Sequence, residues 1–478
     1  MAETLYDVAI IGAGPGGYTA AIRAGQLGLK TCLIEKDEKL GGTCLHVGCI
    51  PTKALLFNAE VYEHVKTGKE LGLEGLDGVK VNWGTIQKRK NDIVSKHARG
   101  LEGLMRKNKV TTVEGYGKLI GPAKNGVLEV EVFTAGGGGA GGETTHIKAK
   151  NVILATGSVA RMLPNLEPDS RVLTNIEILS LDKIPKSLVV VGAGAVGTEF
   201  ASIYKSFGTE VTVLEMLPRL VPVEDEEISK ELLRQFGKRG ITCHVNTKVD
   251  KVEKTKPGVA VTFTPADGKQ QKIEAEKILI AIGRAPRTDN LGLEKTRIKP
   301  ERGFIKTNEW MQTDEAGVWA IGDIVAGSPQ LAHVGGMQGV IAVTKIAGKP
   351  ARPFNAMKVP GCTYTHPEIG SVGLTEAIAK ETGHQVKVGK FPFGGNSRAS
   401  IMGAHGGFIK VVADAKYGEV LGVHIIGPYA TELVAECVAV IELEGTIDDL
   451  MFIIHAHPTL SEGMLDAFSA VEGKAINF

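Results

Sequence analysis

The feature that most constrains how this chain folds is a glycine motif that occurs twice. The apolar, β-branched run 5–11 predicts a buried strand, and residues 12–17 follow it with the spacing G-x-G-x-x-G. An alanine-rich helical stretch comes next, and a second strand over 30–35 ends in an acid, Glu35. This order of strand, glycine turn, helix, strand and acid is the one that a dinucleotide-binding βαβ unit requires.

Each glycine of this motif has a physical role in such a unit. The first allows a tight turn, the second lets the backbone approach a pyrophosphate, and the third lets the helix pack on the strand. Unpaired N–H groups at the helix N-terminus bind phosphates, and the acid accepts hydrogen bonds from a ribose. The predicted contacts of the first copy are Gly12, Gly14, Gly17 and Glu35.

The second copy follows at a constant spacing of 180 residues. A strand over 188–191 leads into the motif at 192–197, and a strand over 210–215 ends in Glu215. One such motif is weak evidence, but two copies in the same context, each with its acid, predict two dinucleotide sites. The predicted contacts of the second site are Gly192, Gly194, Gly197 and Glu215.

The acid of the second site bears on which dinucleotide binds there. The carboxylate of Glu215 would repel a 2′-phosphate, so it favours NAD over NADP. Arg219 lies four residues further on and would soften that preference, but it is interpreted as a solvated surface charge.

Three further segments run from apolar residues into a glycine turn, like the returning strands of two nucleotide domains. They are VILATGS at 152–158, ILIAIGR at 278–284 and VWAIGD at 318–323, whose Asp323 could meet the ribityl hydroxyls of a flavin. The predicted fold is α/β, with two Rossmann-like dinucleotide-binding domains and a C-terminal α+β dimerisation domain.

Composition excludes several other classes of protein. Glycine makes up 61 of 478 residues, about 13% against an ordinary value of roughly 7%, but 20 prolines and 43% hydrophobic residues exclude collagen and extended disorder. The 55 basic and 54 acidic residues balance, so neither nucleic acid nor a membrane is an expected partner. Six cysteines do not make a secreted disulfide framework, and no secretory signal is predicted. The glycine-rich segment 136–142 is predicted to be a flexible hairpin tip.

The segment 41–53 carries two cysteines, Cys44 and Cys49, soon after the first acid. A zinc site would need further ligands, and the other cysteines stand alone, so zinc is disfavoured. A structural disulfide is disfavoured in a reducing compartment. A redox-active dithiol beside a flavin is favoured, because glycines let the chain bend until the sulfurs meet. A helix N-terminus and Lys53 would then stabilise a thiolate.

Two residues near the C-terminus, His457 and Glu462, could supply the base that a disulfide reductase needs. The thiolate is the nucleophile in disulfide exchange, and a substrate dithiol is mostly protonated at neutral pH. Histidine titrates in that range, and a carboxylate orients its ring and stabilises its cationic form. Taken alone, however, a pair this close in sequence is more often structural.

Together these segments resemble the pyridine-nucleotide disulfide oxidoreductases, and the resemblance covers essentially the whole chain. It rests on GAGPGGY at 12–18, GGTCLHVGCIPTK at 41–53, ATGS at 155–158, GAGAVGTE at 192–199, AIGRAP at 281–286, AIGD at 320–323, YTHPEIGSVGLTE at 364–376 and HAHPTLSE at 455–462. His46 and Thr52 occupy positions that are often Asn and Ser in that family, and neither change removes a required function.

The resemblance implies FAD and NAD as cofactors and a homodimer as the functional form. The domains expected from it are 1–153 (FAD-binding), 154–282 (NAD-binding), 283–354 (central, completing the FAD site) and 355–478 (interface and dimerisation). Within the family it points to the branch that oxidises protein-bound dihydrolipoamide to lipoamide and reduces NAD⁺ to NADH. The partner would be the lipoyl-carrying protein of a 2-oxo acid dehydrogenase or glycine cleavage complex. The location would be the cytoplasm, or the mitochondrial matrix for a processed eukaryotic protein.

The resemblance also implies roles for individual residues. Cys44 would exchange with the substrate, and Cys49 would pass electrons to the flavin. His457 would be the base and Glu462 its partner, both reaching the active site of the other subunit. His455 would support the loop.

Two charged residues, Lys53 and Glu199, would pair near the flavin, tune its potential and take part in cofactor binding. Further cofactor contacts are implied at Thr43, Gly117, Thr156, Gly157, Ser158, Gly283, Asp323, Gln330, Leu331, Ala332 and His333.

Three alternative functions are weighed against this one. A glutathione-type reductase would place arginines to bind NADPH, and Glu215 speaks against it. A mercuric reductase usually ends in a vicinal cysteine pair, whereas this sequence ends in GKAINF. A non-catalytic flavoprotein would have no need of the complete set formed by Cys44, Cys49, His457 and Glu462.

Overall fold

The computed structural model describes residues 4–134 and 142–477. In chain order, its strands are β1 Leu5–Ile11, β2 Thr31–Glu35, β3 Thr111–Glu114, β4 Tyr116–Leu119, β5 Leu128–Thr134, β6 Glu143–Leu154, β7 Ser158–Ala160, β8 Val172–Leu173, β9 Ser187–Val191, β10 Glu210–Leu214, β11 Thr242–His244, β12 Lys248–Lys254, β13 Val259–Thr264, β14 Gln271–Ala275, β15 Lys277–Ile280, β16 Arg284–Pro286, β17 Val318–Ala320, β18 Gly361–Thr363, β19 Glu368–Gly373, β20 Val386–Pro392, β21 Phe408–Asp414 and β22 Val420–Gly427. Its helices are α1 Pro15–Gln26, α2 Gly42–Val47, α3 Cys49–Thr67, α4 Trp83–Lys107, α5 Asn175–Ile178, α6 Ala195–Ser206, α7 Glu226–Lys238, α8 Ala332–Ile346, α9 Glu376–Glu381, α10 Ser397–Ile401, α11 Ala430–Glu442, α12 Ile447–Leu450 and α13 Glu462–Ala470.

The chain divides into two compact units, each assembled from segments that are distant in sequence. The first unit comprises Met1–Ala54, Gln87–Ala160 and Arg284–Ala356. The second unit comprises Leu55–Ile86, Arg161–Gly283 and Met357–Phe478.

The first unit is built on a mixed sheet. Its parallel part has the order β3-β2-β1-β6, with β17 also paired to β6, and β5 and β4 continue the sheet in antiparallel fashion. The register places Ile11 opposite both Ile34 and Leu154. Val8 and Ile10 of the central strand pack with α1 and α8 on one face of the sheet, and Ala9 and Ile11 belong to the core on the other face. Because both faces are covered, the sequence of β1 is a continuous apolar run and not an alternating pattern.

The second unit repeats the βαβ plan and adds two antiparallel sheets. Five parallel strands lie in the order β11-β10-β9-β15-β8 around the second glycine motif. A three-stranded sheet, β12-β13-β14, follows. The C-terminal part forms the sheet β18-β19-β22-β21-β20, against which α11 and α13 pack. Its core contains Phe391, Ile409, Ile425 and Phe468, all buried.

The predicted α/β fold class is confirmed. Strand, helix and strand occur in the expected order at both motifs, and the returning strands β6 and β15 pair in parallel with β1 and β9. The predicted hairpin tip at 136–142 falls almost entirely on residues outside the described ranges. The four domain boundaries also stay a prediction. Within residues 4–134 and 142–477, no helix has both the length and the apolar character that crossing a bilayer requires.

Candidate active site

The first glycine turn has the geometry that its motif predicts. Gly12 has a φ of +103°, and a Cβ there would collide with the carbonyl oxygen of Ala155. A Cβ on Gly17 would collide with the carbonyl oxygen of Gly12, so α1 packs on the turn only because the third glycine has no side chain. Gly14 faces open space, with no atom within 4 Å of where a Cβ would stand. A phosphate can therefore approach this backbone closely.

The acid Glu35 closes the same turn. Its Oε2 accepts a hydrogen bond from the Ala13 N–H at 2.7 Å, and its Oε1 accepts one from the Asp37 N–H at 3.1 Å. The side chain is buried, so these bonds fix the carboxylate at the strand end. Each carboxylate oxygen has two lone pairs, which leaves capacity for ribose hydroxyls.

The second glycine turn reproduces the first. Gly192 has a φ of +98°, and a Cβ there would collide with the carbonyl oxygen of Ala281. A Cβ on Gly197 would collide with the carbonyl oxygen of Gly192, whereas Gly194 again faces open space. The two sites therefore share one backbone design.

The acid of the second turn is held like its counterpart. Glu215 Oε2 accepts from the Ala193 N–H at 2.6 Å, and Oε1 accepts from the Leu217 N–H at 2.7 Å. Arg219 is not the solvated charge that the sequence suggested, because it is half-buried and its Nη2 donates to the Pro222 carbonyl at 3.0 Å. Its guanidinium therefore binds its own loop.

Helices α1 and α8 cross at glycines that sequence reasoning did not single out. A Cβ on Gly335 would stand 3.5 Å from the Gly16 Cα, and one on Gly339 would stand 3.0 Å from the Ala20 Cβ. Because Gly335 meets Gly16 and Gly339 meets Ala20, the helices run in the same direction with their N-termini at one end. Two helix dipoles then favour an anion there. The available signal was two glycines four residues apart, which share one helix face.

The segment that carries the two cysteines lies against the first glycine turn. The Gly41 N–H donates to the Ala13 carbonyl at 2.9 Å. A Cβ on Gly42 would stand 2.7 Å from the Gly14 Cα, so glycines on both sides permit this contact. The cysteine segment is therefore hydrogen-bonded to the first glycine turn and packs directly on its backbone.

Cys44 lies within α2, and Cys49 is the first residue of α3. Gly48 separates the two helices, and a Cβ there would stand 2.8 Å from the Thr43 carbonyl oxygen and 3.2 Å from the Cys44 Cα. A residue without a side chain is therefore needed for the chain to return toward Cys44. The two thiols lie within hydrogen-bonding distance of each other, as a redox dithiol requires.

The acidities of these two thiols are coupled. The hydrogen bond with Cys49 and burial both raise the pKa of Cys44, and the charge of Lys53 opposes the rise. Cys49 begins a helix of 19 residues, whose N-terminus stabilises a thiolate. The two thiols therefore titrate as one coupled pair, and a single thiolate of that pair is the species that the helix N-terminus and Lys53 would favour.

An arginine that the sequence analysis did not assign is electrostatically coupled to the dithiol. Arg284 Nε donates to the Ser158 hydroxyl at 2.6 Å, and that hydroxyl donates to the carboxylate of Asp323. Burial lowers the pKa of Arg284 below its ordinary value, and the charges of Asp323 and Cys49 partly oppose that shift. By the same coupling, the guanidinium charge would favour a thiolate on Cys49. Its signal was present, since Arg284 directly follows Gly283 in the segment AIGRAP.

The segment before α8 holds further predicted contacts. Gln330 Nε2 donates to the Asp323 carbonyl at 3.2 Å. Leu331 is the residue before the helix, Ala332 is its first residue, and His333 is exposed in the first turn. The N–H groups of such a first turn have no acceptor within the helix.

The remaining predicted contacts lie at strand ends. The Thr156 hydroxyl donates to the Arg287 carbonyl, and Gly157 has a φ of +69° with open space beside it. Gly117 lies against the side chain of Ile11, because a Cβ on Gly117 would stand 3.1 Å from the Ile11 Cγ2. Thr43, another predicted contact, lies in the first turn of α2. Gly283, which follows β15, has a φ of +106° and open space beside it.

His457 and Glu462 form a pair in the second unit. His457 Nδ1 lies 2.8 Å from Glu462 Oε1, and Glu462 Oε2 accepts from the Thr459 N–H at 2.8 Å. Burial raises the pKa of Glu462, but the Thr459 amide and His457 lower it below its ordinary value. The His457 side chain is 71% exposed, so Nε2 stays accessible while the carboxylate fixes the ring.

His455 is the buried counterpart of this pair. Its Nε2 lies 2.9 Å from Glu436 Oε1, and its Nδ1 lies 3.1 Å from the Ile453 carbonyl oxygen. Both ring nitrogens are therefore engaged, which suits a residue that supports the loop.

Two family models of known proteins match the chain. The family model described as pyridine nucleotide-disulphide oxidoreductase matches residues 6–339, and the model of that family's dimerisation domain matches residues 359–468. The chain belongs to the pyridine nucleotide-disulphide oxidoreductase family. The family and the oxidoreductase class expected from the sequence are thus confirmed, and the dimerisation domain supports the expected homodimer.

Relatives of the chain match it over its whole length. It is 45% identical to the dihydrolipoyl dehydrogenase of Bacillus subtilis, covering 99% of this chain and 100% of the relative. It is 42% identical to the mitochondrial dihydrolipoyl dehydrogenase of Pisum sativum, covering 98% and 92%. The crystal structure of LpdA from Mycobacterium tuberculosis superposes with a TM-score of 0.88 at 28% identity, covering 97% and 99%.

Lys53 and Glu199, the two charged residues expected near the flavin, belong to the first and the second unit respectively. Glu199 is buried in α6, and its Oε1 accepts from the Tyr364 N–H at 3.0 Å. Lys53 lies in the first turns of α3. Their pairing stays a prediction.

Three of the remaining cysteines lie in surroundings that keep their thiols protonated. Burial raises the pKa of Cys32 and of Cys243 to about 12, and raises that of Cys437 well above its ordinary value. Such thiols are poor nucleophiles. Among the described residues, no group of three His, Cys, Asp or Glu side chains is arranged to hold a metal ion.

Tyr18 is a second residue near the dithiol that sequence reasoning missed. Burial raises the pKa of Tyr18, and the charges of Cys44 and Cys49 raise it further, so its phenol is electrostatically coupled to the two sulfurs. Tyr18 directly follows the third glycine of the motif, so its position in the first turn of α1 was readable from the sequence.

Proposed function

We propose that this chain is a dihydrolipoamide dehydrogenase, which oxidises dihydrolipoamide with NAD⁺. The observation that carries the proposal is the hydrogen-bonded pair of Cys44 and Cys49, set against the first of two dinucleotide turns. Relatives with the corresponding name match the whole chain at 42% to 45% identity, which supports the choice of substrate.

The reaction begins with a proton transfer at the disulfide form of the cysteine pair. His457 of a second copy takes the proton of one substrate thiol at Nε2, because Glu462 holds Nδ1. The substrate thiolate attacks Sγ of Cys44, the S–S bond breaks, and Cys49 leaves as a thiolate. The helix N-terminus and Arg284 stabilise that leaving group.

The second step closes the substrate disulfide. The remaining substrate thiol loses its proton and attacks the substrate sulfur that is bonded to Cys44. This attack forms lipoamide and releases Cys44, which takes up a proton. The substrate has then lost two electrons and two protons. Formation of NADH removes the two electrons with one proton, as hydride, and the other proton goes to solvent.

The residues of the first turn fit FAD. Its diphosphate would be held by the open backbone at Gly14 and by the adjoining N-termini of α1 and α8, and its ribose by Glu35. When bound, FAD supplies the two-electron relay between the thiolate of Cys49 and the nicotinamide. Ser158 and Arg284 fix the carboxylate of Asp323 at the end of the same unit's sheet.

The residues of the second turn fit NAD. Glu215 holds a negative charge where the 2′-phosphate of NADP would lie, and Arg219 is bound to its own loop. These two observations weigh against a glutathione-type reductase that uses NADPH.

The proposal extends to partners and place. The exposed ring of His457 suits a base that completes the active site of a second copy. The natural substrate would be the lipoyl group of a carrier protein in a 2-oxo acid dehydrogenase or glycine cleavage complex. The proposed location is the cytoplasm, or the mitochondrial matrix in a eukaryote.

The proposal is tested by assaying the purified holoenzyme for NAD⁺ reduction with dihydrolipoamide. We expect turnover with NAD⁺ and little with NADP⁺, and Cys49→Ser should abolish it because the disulfide cannot form. Cys243→Ser is the matched control and should retain activity. Equal turnover with NADPH and glutathione disulfide would contradict the substrate assignment, and full activity of Cys49→Ser would contradict the dithiol mechanism.

A further inference from the structure

A buried lysine lies at the centre of a charge cluster in the second unit. Lys410, on β21, is 2% exposed, and its ammonium lies 2.8 Å from Glu376, 3.0 Å from Asp225 and 3.1 Å from Glu227. A buried ammonium is unfavourable unless its three protons find acceptors. Three carboxylates supply those acceptors, so the cluster joins α7 and α9 to the C-terminal sheet.

Asp225 is the residue of this cluster that leads toward the second nucleotide turn. It is buried, and its Oδ1 accepts from the Glu227 N–H at 3.0 Å, which caps α7. The next residue toward the turn, Glu224, donates its N–H to the Val221 carbonyl at 2.9 Å. The end of the loop 216–225 is thereby fixed to the buried ion cluster.

A short hydrogen-bonded path continues from Val221 to the acid of the site. The Val221 N–H donates to the Ala193 carbonyl at 2.8 Å, and the Ala193 N–H donates to Glu215 Oε2 at 2.6 Å. Ala193 stands between the first two glycines of the turn. The path thus reaches both the phosphate turn and the ribose-binding acid.

Val221 adopts a backbone conformation that valine rarely tolerates. Its φ is +39°, and its side chain is buried. A β-branched residue in this region is strained and persists only where its surroundings fix it. The ion cluster at one end of the loop and Ala193 at the other provide that restraint.

The internal duplication shows what is unusual here. The counterpart of Val221, 180 residues earlier, is Gly41, which has a φ of +125° and donates to the Ala13 carbonyl at 2.9 Å. The first site therefore makes the same hydrogen bond with a glycine, which adopts positive φ freely. The segment that follows this position carries the dithiol in the first repeat, and in the second repeat it carries Asp225 of the buried ion cluster.

We propose that Asp225 and Lys410 are positioning residues for the pyridine nucleotide. They hold the loop 216–225, against the strain at Val221, in the conformation that shapes the second turn and orients Glu215. This inference rests on the proposed function, because it assigns the second turn to NAD.

The test uses Lys410→Met and Asp225→Asn in the holoenzyme, with the dissociation constant of NADH as the main readout. We expect that constant to rise about 5- to 30-fold, the size typical of coupling between distant residues. The FAD content and the rate at which dihydrolipoamide reduces the Cys44–Cys49 disulfide should stay unchanged. Lys387→Met is the matched control. Lys387 lies on β20, the strand next to that of Lys410, and is an exposed lysine whose ammonium lies 2.7 Å from Glu472.

A rescue variant separates positioning from general stability. Glycine adopts a φ near +39° without strain, so Val221→Gly should restore part of the NADH affinity of Lys410→Met. Unchanged NADH affinity in both single variants would overturn the inference, and so would a parallel loss of FAD and of both half-reactions. If Lys410→Met does not fold, Asp225→Asn decides, because asparagine still caps α7. Failure of the wild-type enzyme to bind NADH would instead contradict the proposed function.

Discussion

The ring of His457 is held in one orientation by a carboxylate that stays ionised. Burial raises the pKa of Glu462, but the Thr459 amide and the imidazole lower it below its ordinary 4.5. The carboxylate therefore keeps its charge as the pH falls toward that lowered value. Across the pH range where histidine titrates, Glu462 can stabilise the protonated ring.

At the scale of this residue, we expect His457→Gln to slow dihydrolipoamide oxidation about 100- to 10,000-fold. Glutamine cannot take the thiol proton. Reduction of the enzyme by NADH needs no such base and should slow much less. Stopped-flow measurement of the two half-reactions checks this expectation.

His146→Gln provides the control for that experiment. His146 forms an exposed pair with Glu129 at the same 2.8 Å distance, near the end of β6 opposite to the one that meets the first glycine turn. It should leave both half-reactions unchanged. Equal slowing of the two half-reactions in His457→Gln would argue against its role as the base.

Sequence spacing predicts residues well where one residue type is geometrically necessary. The roles of Gly12 and Gly17 follow from the motif, and the structure shows the collisions that any side chain would cause. Arg284 and Tyr18 were missed because their importance comes from being near Cys49, which no local pattern encodes.

At the scale of helices and strands, the crossing of α1 and α8 depends on small residues. A Cβ on Gly339 would stand 2.8 Å from the Gly16 carbonyl oxygen, closer than packed atoms allow. The crossing brings two helix N-termini together, so it bears directly on the proposed diphosphate site.

We expect Gly339→Ala to weaken FAD retention and to lower the free energy of unfolding by about 1–3 kcal/mol, through overpacking. Both helices must separate slightly to admit the methyl group. Thermal unfolding and the ratio of flavin to protein absorbance measure the two effects.

Gly336→Ala is the matched control on the same helix. A Cβ there would stand 3.6 Å from the Thr19 hydroxyl, an ordinary contact. Alanine should raise stability by about 0.5–1 kcal/mol through its helix propensity. If the two alanine variants bind FAD equally well, the close crossing is not what holds the cofactor.

For the molecule as a whole, exposed apolar side chains precede His457. Phe452 is 84% exposed and Ile454 is 95% exposed, within the range matched by the dimerisation domain. Such side chains are normally covered in an assembly. A homodimer that covers them would also fix the loop that carries His457.

We expect Ile454→Asp to shift the protein from dimer to monomer and to reduce turnover in proportion. A charge at a covered apolar position is unfavourable. Analytical ultracentrifugation over a concentration series, with activity measured in parallel, checks both effects.

Ile476→Asp is the control, because Ile476 is also exposed but lies outside the matched dimerisation range. It should leave the mass and the activity unchanged. A fully dimeric Ile454→Asp would show that this loop is not part of the interface.

The sequence by itself determined the two dinucleotide-binding units, the paired acids and the dithiol segment. These depend on short spacings, in which one turn of backbone fixes which residue types fit. The family also followed from those motifs. Only the tertiary structure decided which helices adjoin the first turn, which charged groups are coupled to Cys49 and which contacts hold Val221. Those contacts join residues far apart in the chain, and their strength comes from burial and desolvation, which exist only once the segments have packed together.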